Sequence, residues 1–122
     1  MGASSKAVTA PPPAYAVMYP GLVAIARKHG YALAIHGSMK RDFDLIAVPW
    51  VGDAGEPFAM IMEMKEAVQG VFTNHEMEHL SVQAKGHPTL KAHGRLCWSI
   101  HLTNEGAFGP YLDICVMPRG AL

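Results

Sequence analysis

Two carboxylates and a turn of small residues lie close together in the first half of the chain. Asp42 and Asp44 alternate at the start of an apolar run, and Gly37-Ser38 follows another apolar run over residues 31–35. On a β-strand, side chains two positions apart project to the same face, so the two aspartates are expected to lie side by side. Two like charges this close repel each other unless a cation lies between them. The spacing therefore predicts a divalent-metal site beside a phosphate-binding turn.

Asp113 is the candidate for a third metal-binding carboxylate. It lies in the middle of an apolar run, where an unpaired carboxylate is costly to bury. The runs 95–102 and 111–117 are close enough in sequence to favour antiparallel pairing, which could bring Asp113 beside Asp42 and Asp44. Three carboxylates with open coordination positions suit Mg²⁺ or Mn²⁺, which prefer oxygen ligands. The alternative is that Asp42 and Asp44 are turn carboxylates bonded to backbone N–H groups.

The elements that must position these residues can be predicted from periodicity and from turn residues. Residues 1–18, rich in alanine and proline, predict a flexible arm and leave 19–122 as one domain. We predict helices over 20–29 and from 57 to about 69, and strands over 31–36, 42–50, 95–102 and 111–117. Residues 71–83 fit a helix or a strand equally well. This order predicts an α/β (α+β) fold: a mixed, mainly antiparallel sheet of about four to five strands, with helices on one face and a cleft on the other.

Composition narrows the class of protein. The ten basic and ten acidic residues balance, which argues against a protein that binds nucleic acid or a membrane surface through charge alone. No apolar run approaches the roughly 18 residues of a membrane span, and no signal peptide is visible. Cys97 and Cys115 lie in separate strand-like runs without metal-ligand spacing, so we expect two buried free thiols rather than a disulfide. Together these features predict a cytoplasmic protein without a membrane partner.

The order of these motifs resembles the nucleotidyltransferase fold shared with DNA polymerase beta. In that family a hydrophobic strand ends in Gly-Ser, an Asp-hydrophobic-Asp motif follows, and a third acidic residue lies on a neighbouring strand. The resemblance implies that Gly37 and Ser38 bind a nucleoside triphosphate and that Asp42 and Asp44 hold two metal ions. Asp113 would then bind the metal that activates an acceptor hydroxyl. The implied reaction is transfer of a nucleotidyl group to an unknown acceptor, which could be a protein, a small molecule or a nucleic acid.

A closer resemblance, over residues 19–119, is to small proteins encoded by phages and prophages. This resemblance rests on the segments HGSMKRDFDLIAVPW, HGRLCWSIHL and YLDICVMPR. It implies that the protein acts in the cytoplasm of a bacterial host. It implies no established activity. The chain departs from the nucleotidyltransferase pattern at one point. Only three residues separate Ser38 from Asp42, where the family has a longer segment with a helical turn. The turn is therefore either a shortened phosphate-binding turn or a tight hairpin that kept the acids and lost the triphosphate cradle.

Basic side chains near these motifs are candidate phosphate contacts. Lys40 and Arg41 lie between the turn and the acids, and Lys91 and Arg95 lie in a basic loop that leads into a predicted strand. An arginine side chain can grip two phosphate oxygens at once, whereas a lysine side chain acts as a point charge. The alternative is a solvated loop that contacts no ligand.

Two other functions compete with nucleotidyl transfer. Residues 75–79, HEMEH, match the H-E-x-x-H helix of zinc peptidases, in which the two histidines bind zinc and Glu76 acts as base. The alternative for this segment is a polar helix or loop with surface histidines. The second competing function is a non-catalytic module that binds a nucleotide or a protein. A short strand at the edge of the sheet could also pair with a second copy of the chain and so support an oligomer.

Overall fold

The structure, a computed structural model, describes residues 12–40, 42–71, 88–102 and 110–120. In these ranges the elements are, in order, α1 (Pro12–Lys28), β1 (Tyr31–His36), β2 (Phe43–Pro49), α2 (Pro57–Val71), β3 (Thr89–Leu90), β4 (Leu96–His101) and β5 (Tyr111–Val116). A short 3-10 turn, Ala92–Gly94, connects β3 to β4. The predicted α+β class is therefore confirmed.

The strands form one five-stranded sheet in the order β1-β2-β5-β4-β3. Three of its neighbouring pairs are antiparallel, and β2 pairs with β5 in parallel. Parallel strands need a long crossover between them, and here α2, β3 and β4 all lie between β2 and β5 in sequence. The predicted mixed sheet is confirmed, and the predicted antiparallel character holds for every neighbouring pair except β2 and β5.

One face of the sheet forms the core together with both helices. Phe43 and Leu45 of β2 and Leu112 and Ile114 of β5 have no exposed surface. They belong to one buried cluster with apolar side chains of the helices, which include Leu22, Met60, Ile61 and Met64. Because side chains alternate along a strand, the residues between these core positions project to the opposite face. That opposite face is the open face of the sheet.

Helix α1 begins earlier than the sequence predicts. The prediction of a flexible arm over 1–18 is wrong for residues 12–18, which are helical, and residues 1–11 lie outside the described ranges. Tyr15 is fully buried, and its ring stacks on Phe43 with the centroids 4.9 Å apart. Pro20 lies inside the helix rather than at its start. It is tolerated there because Ala16, whose carbonyl would accept the missing N–H bond, is exposed to water.

A polar cluster joins the end of α1 to α2. Lys28 Nζ donates a hydrogen bond to Glu63, and His29 Nε2 lies 2.9 Å from Glu63 Oε1. These hydrogen bonds, first from Lys28 and then from His29, lower the pKa of the Glu63 carboxyl below its ordinary value.

Neither helix in the described part of the chain combines the length and the apolar character needed to cross a lipid bilayer.

The two cysteines are joined by a disulfide bond, so the prediction of two free thiols is wrong. Cys97 and Cys115 occupy directly opposed positions of β4 and β5, with their Cα atoms 4.0 Å apart. Both side chains are almost fully buried. The sequence predicts the two strands but not their register, and it is the register that brings the two sulfur atoms together.

Candidate metal and nucleotide site

Four residues on four neighbouring strands form a row across the open face of the sheet. His36 of β1 pairs with Asp44 of β2, Asp44 pairs with Asp113 of β5, and Asp113 pairs with Ser99 of β4. Directly opposed residues of adjacent strands project to the same face, and the strands lie roughly 4.8 Å apart. We call these four residues the polar row. The expected approach of Asp113 to Asp44 is thus present, and it results from the parallel pairing of β2 with β5.

Asp44 is the electrostatic centre of the polar row. Its carboxyl group is half-buried, and this burial raises its pKa above the ordinary value of 3.8. The negative charges of Asp113 and Asp42 raise this pKa further, whereas the positive charges of His36 and Lys91 lower it. The ionised form of Asp44 is therefore disfavoured by its surroundings, and a cation beside the carboxylates would offset that cost.

The turn that links β1 to β2 brings the backbone of Gly37 against Asp44. Gly37 has φ +83°, a conformation that favours glycine, and a Cβ atom built on it would lie 2.7 Å from Asp44 Oδ2. Met39 also has a positive φ, 61°. The Ser38 hydroxyl accepts a hydrogen bond from the Lys40 N–H at 3.3 Å. No helix is present in the described residues of this turn.

The close approach at Gly37 leads to a stability prediction. We expect Gly37→Ala to lower the free energy of unfolding by about 1–3 kcal/mol, because the new methyl group displaces the Asp44 carboxylate and the backbone strains at positive φ. Gly21→Ala is the matched control, since Gly21 lies on the exposed side of α1 with open space around it. The control should be neutral or stabilising by up to about 1 kcal/mol. Urea unfolding of both variants measures the difference, and equal stability would contradict the contact.

Asp42 is the third predicted metal ligand, and it lies outside the polar row. It lies just before β2, two residues from Asp44, and is half-buried. Its charge reaches Asp44, as the raised pKa of that carboxyl indicates. Within the described ranges, no group of three or more His, Cys, Asp or Glu side chains is arranged to hold a metal ion. Of the three predicted metal ligands, the structure pairs Asp44 directly with Asp113, and Asp42 lies two residues from Asp44 in the chain.

The predicted phosphate contacts lie in different places. Lys40 is exposed in the turn, and Arg41 lies outside the described residues. Lys91 is exposed, and its charge reaches Asp44 from the turn that precedes β4. The Arg95 side chain instead donates a hydrogen bond from Nε to the Ala92 carbonyl at 3.1 Å. Among the described basic residues of this loop, Lys91 is the one whose charge acts on Asp44.

Ser99 is a residue of the polar row that was not predicted from sequence. Ser99 lies directly opposite Asp113, which gives the polar row a hydroxyl group next to its two carboxylates. On the same face of β4, the ring of His101 packs against the ring of Tyr111, with the centroids 5.4 Å apart. The alternation of Ser99 and His101 with apolar residues marks this polar face in the sequence, but only the strand register identifies the partner of Asp113.

The zinc-peptidase alternative concerns residues that the structure does not describe. The motif HEMEH, residues 75–79, lies between the described ranges 42–71 and 88–102, as do most of residues 71–83. Its helical or extended character and its role therefore stay predictions.

Comparison with known proteins adds no assignment to this geometry. No protein-family model, curated protein or solved structure matches the chain, so the resemblance to the nucleotidyltransferase fold and to phage-encoded proteins stays a prediction from sequence.

Proposed function

We propose that this protein is a nucleotidyltransferase-like domain that binds a nucleoside triphosphate with Mg²⁺ or Mn²⁺ and transfers the nucleotidyl group to a hydroxyl group of an acceptor. The observation that supports this most strongly is the direct pairing of Asp44 with Asp113 on the open face. A carboxylate pair on adjacent strands, beside a glycine turn, has the residue types that a metal–triphosphate complex requires.

The donor set fits a magnesium ion that is held partly by its substrate. Mg²⁺ keeps several water ligands and is commonly bound through one or two carboxylates plus substrate phosphates. Asp44 and Asp113 would hold it, with Asp42 as a further carboxylate nearby. The raised pKa of Asp44 supports this fit, because burial and the charges of Asp113 and Asp42 disfavour its ionised form, a cost that a bound cation would offset.

The roles of the other residues follow from their positions. The backbone N–H groups and the hydroxyl of the exposed residues Gly37 and Ser38 would bind phosphate oxygens, and Lys91 would offset their charge. His36 flanks Asp44 and would accept or release a proton near the reacting oxygens. The bound metal would activate the acceptor hydroxyl and stabilise the leaving pyrophosphate.

Thermal unfolding with and without nucleotide tests this proposal. We expect nucleoside triphosphates to stabilise the protein only when Mg²⁺ is present, by about 2.7 kcal/mol at a ligand concentration one hundred times Kd. Asp113→Asn should abolish this stabilisation. Asp53→Asn is the matched control, because Asp53 lies on an exposed turn outside the polar row. Pyrophosphate release in the presence of candidate acceptors then measures turnover.

Two outcomes of this experiment would count against the proposal. If none of the four ribonucleoside triphosphates stabilises the protein in the presence of Mg²⁺, nucleotide binding is not part of its function. Equal stabilisation of wild type and Asp113→Asn would remove the polar row from the binding site.

A non-catalytic binding module is the second candidate, and the shape of the turn favours it. The described residues between His36 and Phe43 contain no helical turn, which the nucleotidyltransferase family places after Gly-Ser. Magnesium-dependent nucleotide binding without any pyrophosphate release would support this candidate over transfer.

The cytoplasm, or the cytoplasm of a bacterial host for a phage-encoded protein, is part of the same proposal. Nucleoside triphosphates are available there as substrates. The disulfide between Cys97 and Cys115 is the observation that counts against this location, because structural disulfides are rare in reducing compartments.

A further inference from the structure

An apolar cavity of about 580 Å³ opens where the parallel strands β2 and β5 end. Its apolar lining includes Ile46, Val48, Val51, Ala54, Met117 and Pro118. Ile46 and Val48 alternate with the core residues of β2, as Asp44 does, so the cavity lies on the same face as the polar row. Along β2 the lining begins at Ile46, roughly 7 Å from Asp44, and reaches Val48, roughly 13 Å from it, so the cavity extends away from the polar row.

Arg119 is the charged residue in the described lining of this cavity. Its Nη1 atom lies 3.4 Å from the Ala54 carbonyl oxygen, to which it donates a hydrogen bond. In the described part of the chain the guanidinium group makes no ion pair. A guanidinium group has five N–H donors, so most of them remain available to a ligand.

Arg119 is exposed, and its charge acts on the nearby Tyr31 phenol. Burial raises the pKa of the Tyr31 phenol, and the positive charge of Arg119 acts in the opposite direction. The Tyr31 hydroxyl donates a hydrogen bond to the Gly55 carbonyl at 2.7 Å, next to Ala54. A second cavity of about 530 Å³ adjoins the first and shares Arg119 and most of the segment around it as lining.

We propose that this cavity binds a small amphipathic carboxylate, with its apolar chain against Ile46, Val48 and Met117 and its carboxylate on Arg119. The volume lies within the range of small-molecule sites, and such sites combine an apolar lining with a few polar groups that orient the ligand. Charge complementarity selects an anion, because the lining offers one cation. The planar guanidinium group matches a carboxylate through two parallel hydrogen bonds. This inference is independent of the proposed nucleotidyl transfer.

Calorimetric titration with octanoate, in buffer containing EDTA, tests the proposal. We expect saturable binding of octanoate, and we expect Arg119→Gln to weaken it about tenfold or more, because a charge-assisted pair of hydrogen bonds is lost. Octan-1-ol has the same chain without the charge. Wild type should therefore bind octan-1-ol more weakly than octanoate, and Arg119→Gln should bind octan-1-ol as tightly as wild type does. Arg27→Gln, on the exposed side of α1, is the matched control and should bind octanoate as wild type does.

A second variant tests the apolar part of the site. Val48 is 42% exposed, so Val48→Glu should leave the fold intact while placing a negative charge and a polar group in the cavity. It should weaken both octanoate and octan-1-ol, unlike Arg119→Gln. Absence of saturable octanoate binding at millimolar concentration would overturn the proposal. Equal octanoate affinity in wild type and Arg119→Gln would overturn it as well. EDTA removes free Mg²⁺, so neither result depends on whether the polar row binds a metal.

Discussion

Replacing Asp44 with asparagine is expected to stabilise the metal-free protein at neutral pH and, at the same time, to abolish its response to magnesium. Burial and the neighbouring charges of Asp113 and Asp42 disfavour the ionised carboxylate, and an amide of the same shape carries no charge. The amide is also a poor ligand for Mg²⁺ in this position, because the cation would lose a charged oxygen. This one substitution should therefore raise the free energy of unfolding of the metal-free protein and weaken the binding of Mg²⁺.

The pH dependence gives the sign of this effect. Because the pKa of Asp44 is raised in the folded state, the folded chain holds this proton more tightly than the unfolded chain. The contribution of this group to stability therefore falls as pH rises from the ordinary value of 3.8 through the raised value, and the loss persists at neutral pH. The advantage of Asp44→Asn over wild type should be largest at pH 7 and should shrink toward pH 3.

Urea unfolding in EDTA at both pH values, followed by titration with MgCl₂, measures both effects. Asp53→Asn, on its exposed turn, is the control and should track wild type throughout. If Asp44→Asn proved less stable than wild type at pH 7 in EDTA, the carboxylate would have a stabilising partner in the metal-free protein. The polar row would then be an ordinary structural network rather than a cation site.

Phe43→Ala should destabilise the protein by about 3–5 kcal/mol, a large part of the free energy of unfolding of a domain of this size. Phe43 is fully buried and lies between Asp42 and Asp44 in sequence, with its side chain on the opposite face. It stacks on Tyr15 and meets the ring of Tyr19 edge-on, with centroids 6.2 Å apart. Removing the ring leaves a cavity between α1 and the sheet.

Leu90→Ala is the matched control for Phe43→Ala, because Leu90 is 71% exposed on the short strand β3. The control should change stability by no more than about 0.5 kcal/mol. Chemical unfolding of both variants measures the difference. A loss below 1 kcal/mol for Phe43→Ala would mean that α1 does not pack on this strand.

Four of the five strands could be predicted from sequence because their patterns are strong, whereas the two-residue strand β3 lies in a stretch that was expected to be a loop. Alternation of apolar and polar residues over Leu96–His101 gave β4, and the apolar runs before Gly37 and around Asp113 gave β1 and β5. The approach of Asp113 to β2 was also expected, from the pairing of 95–102 with 111–117, but the parallel direction of β5 beside β2 was not predicted. The open face could be anticipated from three aspartates.

The start of α1 could not be predicted in the same way. Proline favours the first turn of a helix, so Pro20 indicated a helix start, and the prolines before it indicated an extended arm. Tertiary packing decided otherwise, because burying Tyr15 and Met18 against the sheet outweighs one missing hydrogen bond on the exposed side of the helix. Local patterns do not contain that information.

Register was the other quantity missing from the sequence. Ser99 and the disulfide both depend on which residue of β4 lies opposite which residue of β5, and a shift by two positions would separate each pair while keeping the same faces. The cysteine prediction also rested on an assumption about the cellular compartment rather than on geometry. The roles of the site residues and the identity of the family stay predictions.

The bond between Cys97 and Cys115 closes a ring of the chain that contains both Ser99 and Asp113. A single break in the peptide chain between the two sulfur atoms would open this ring without separating the two fragments. The ring also restricts how far the denatured chain can spread, which for loops of about this length is worth roughly 3 kcal/mol. The disulfide thereby joins β4, which carries Ser99, to β5, which carries Asp113, by a covalent bond in addition to their hydrogen bonds.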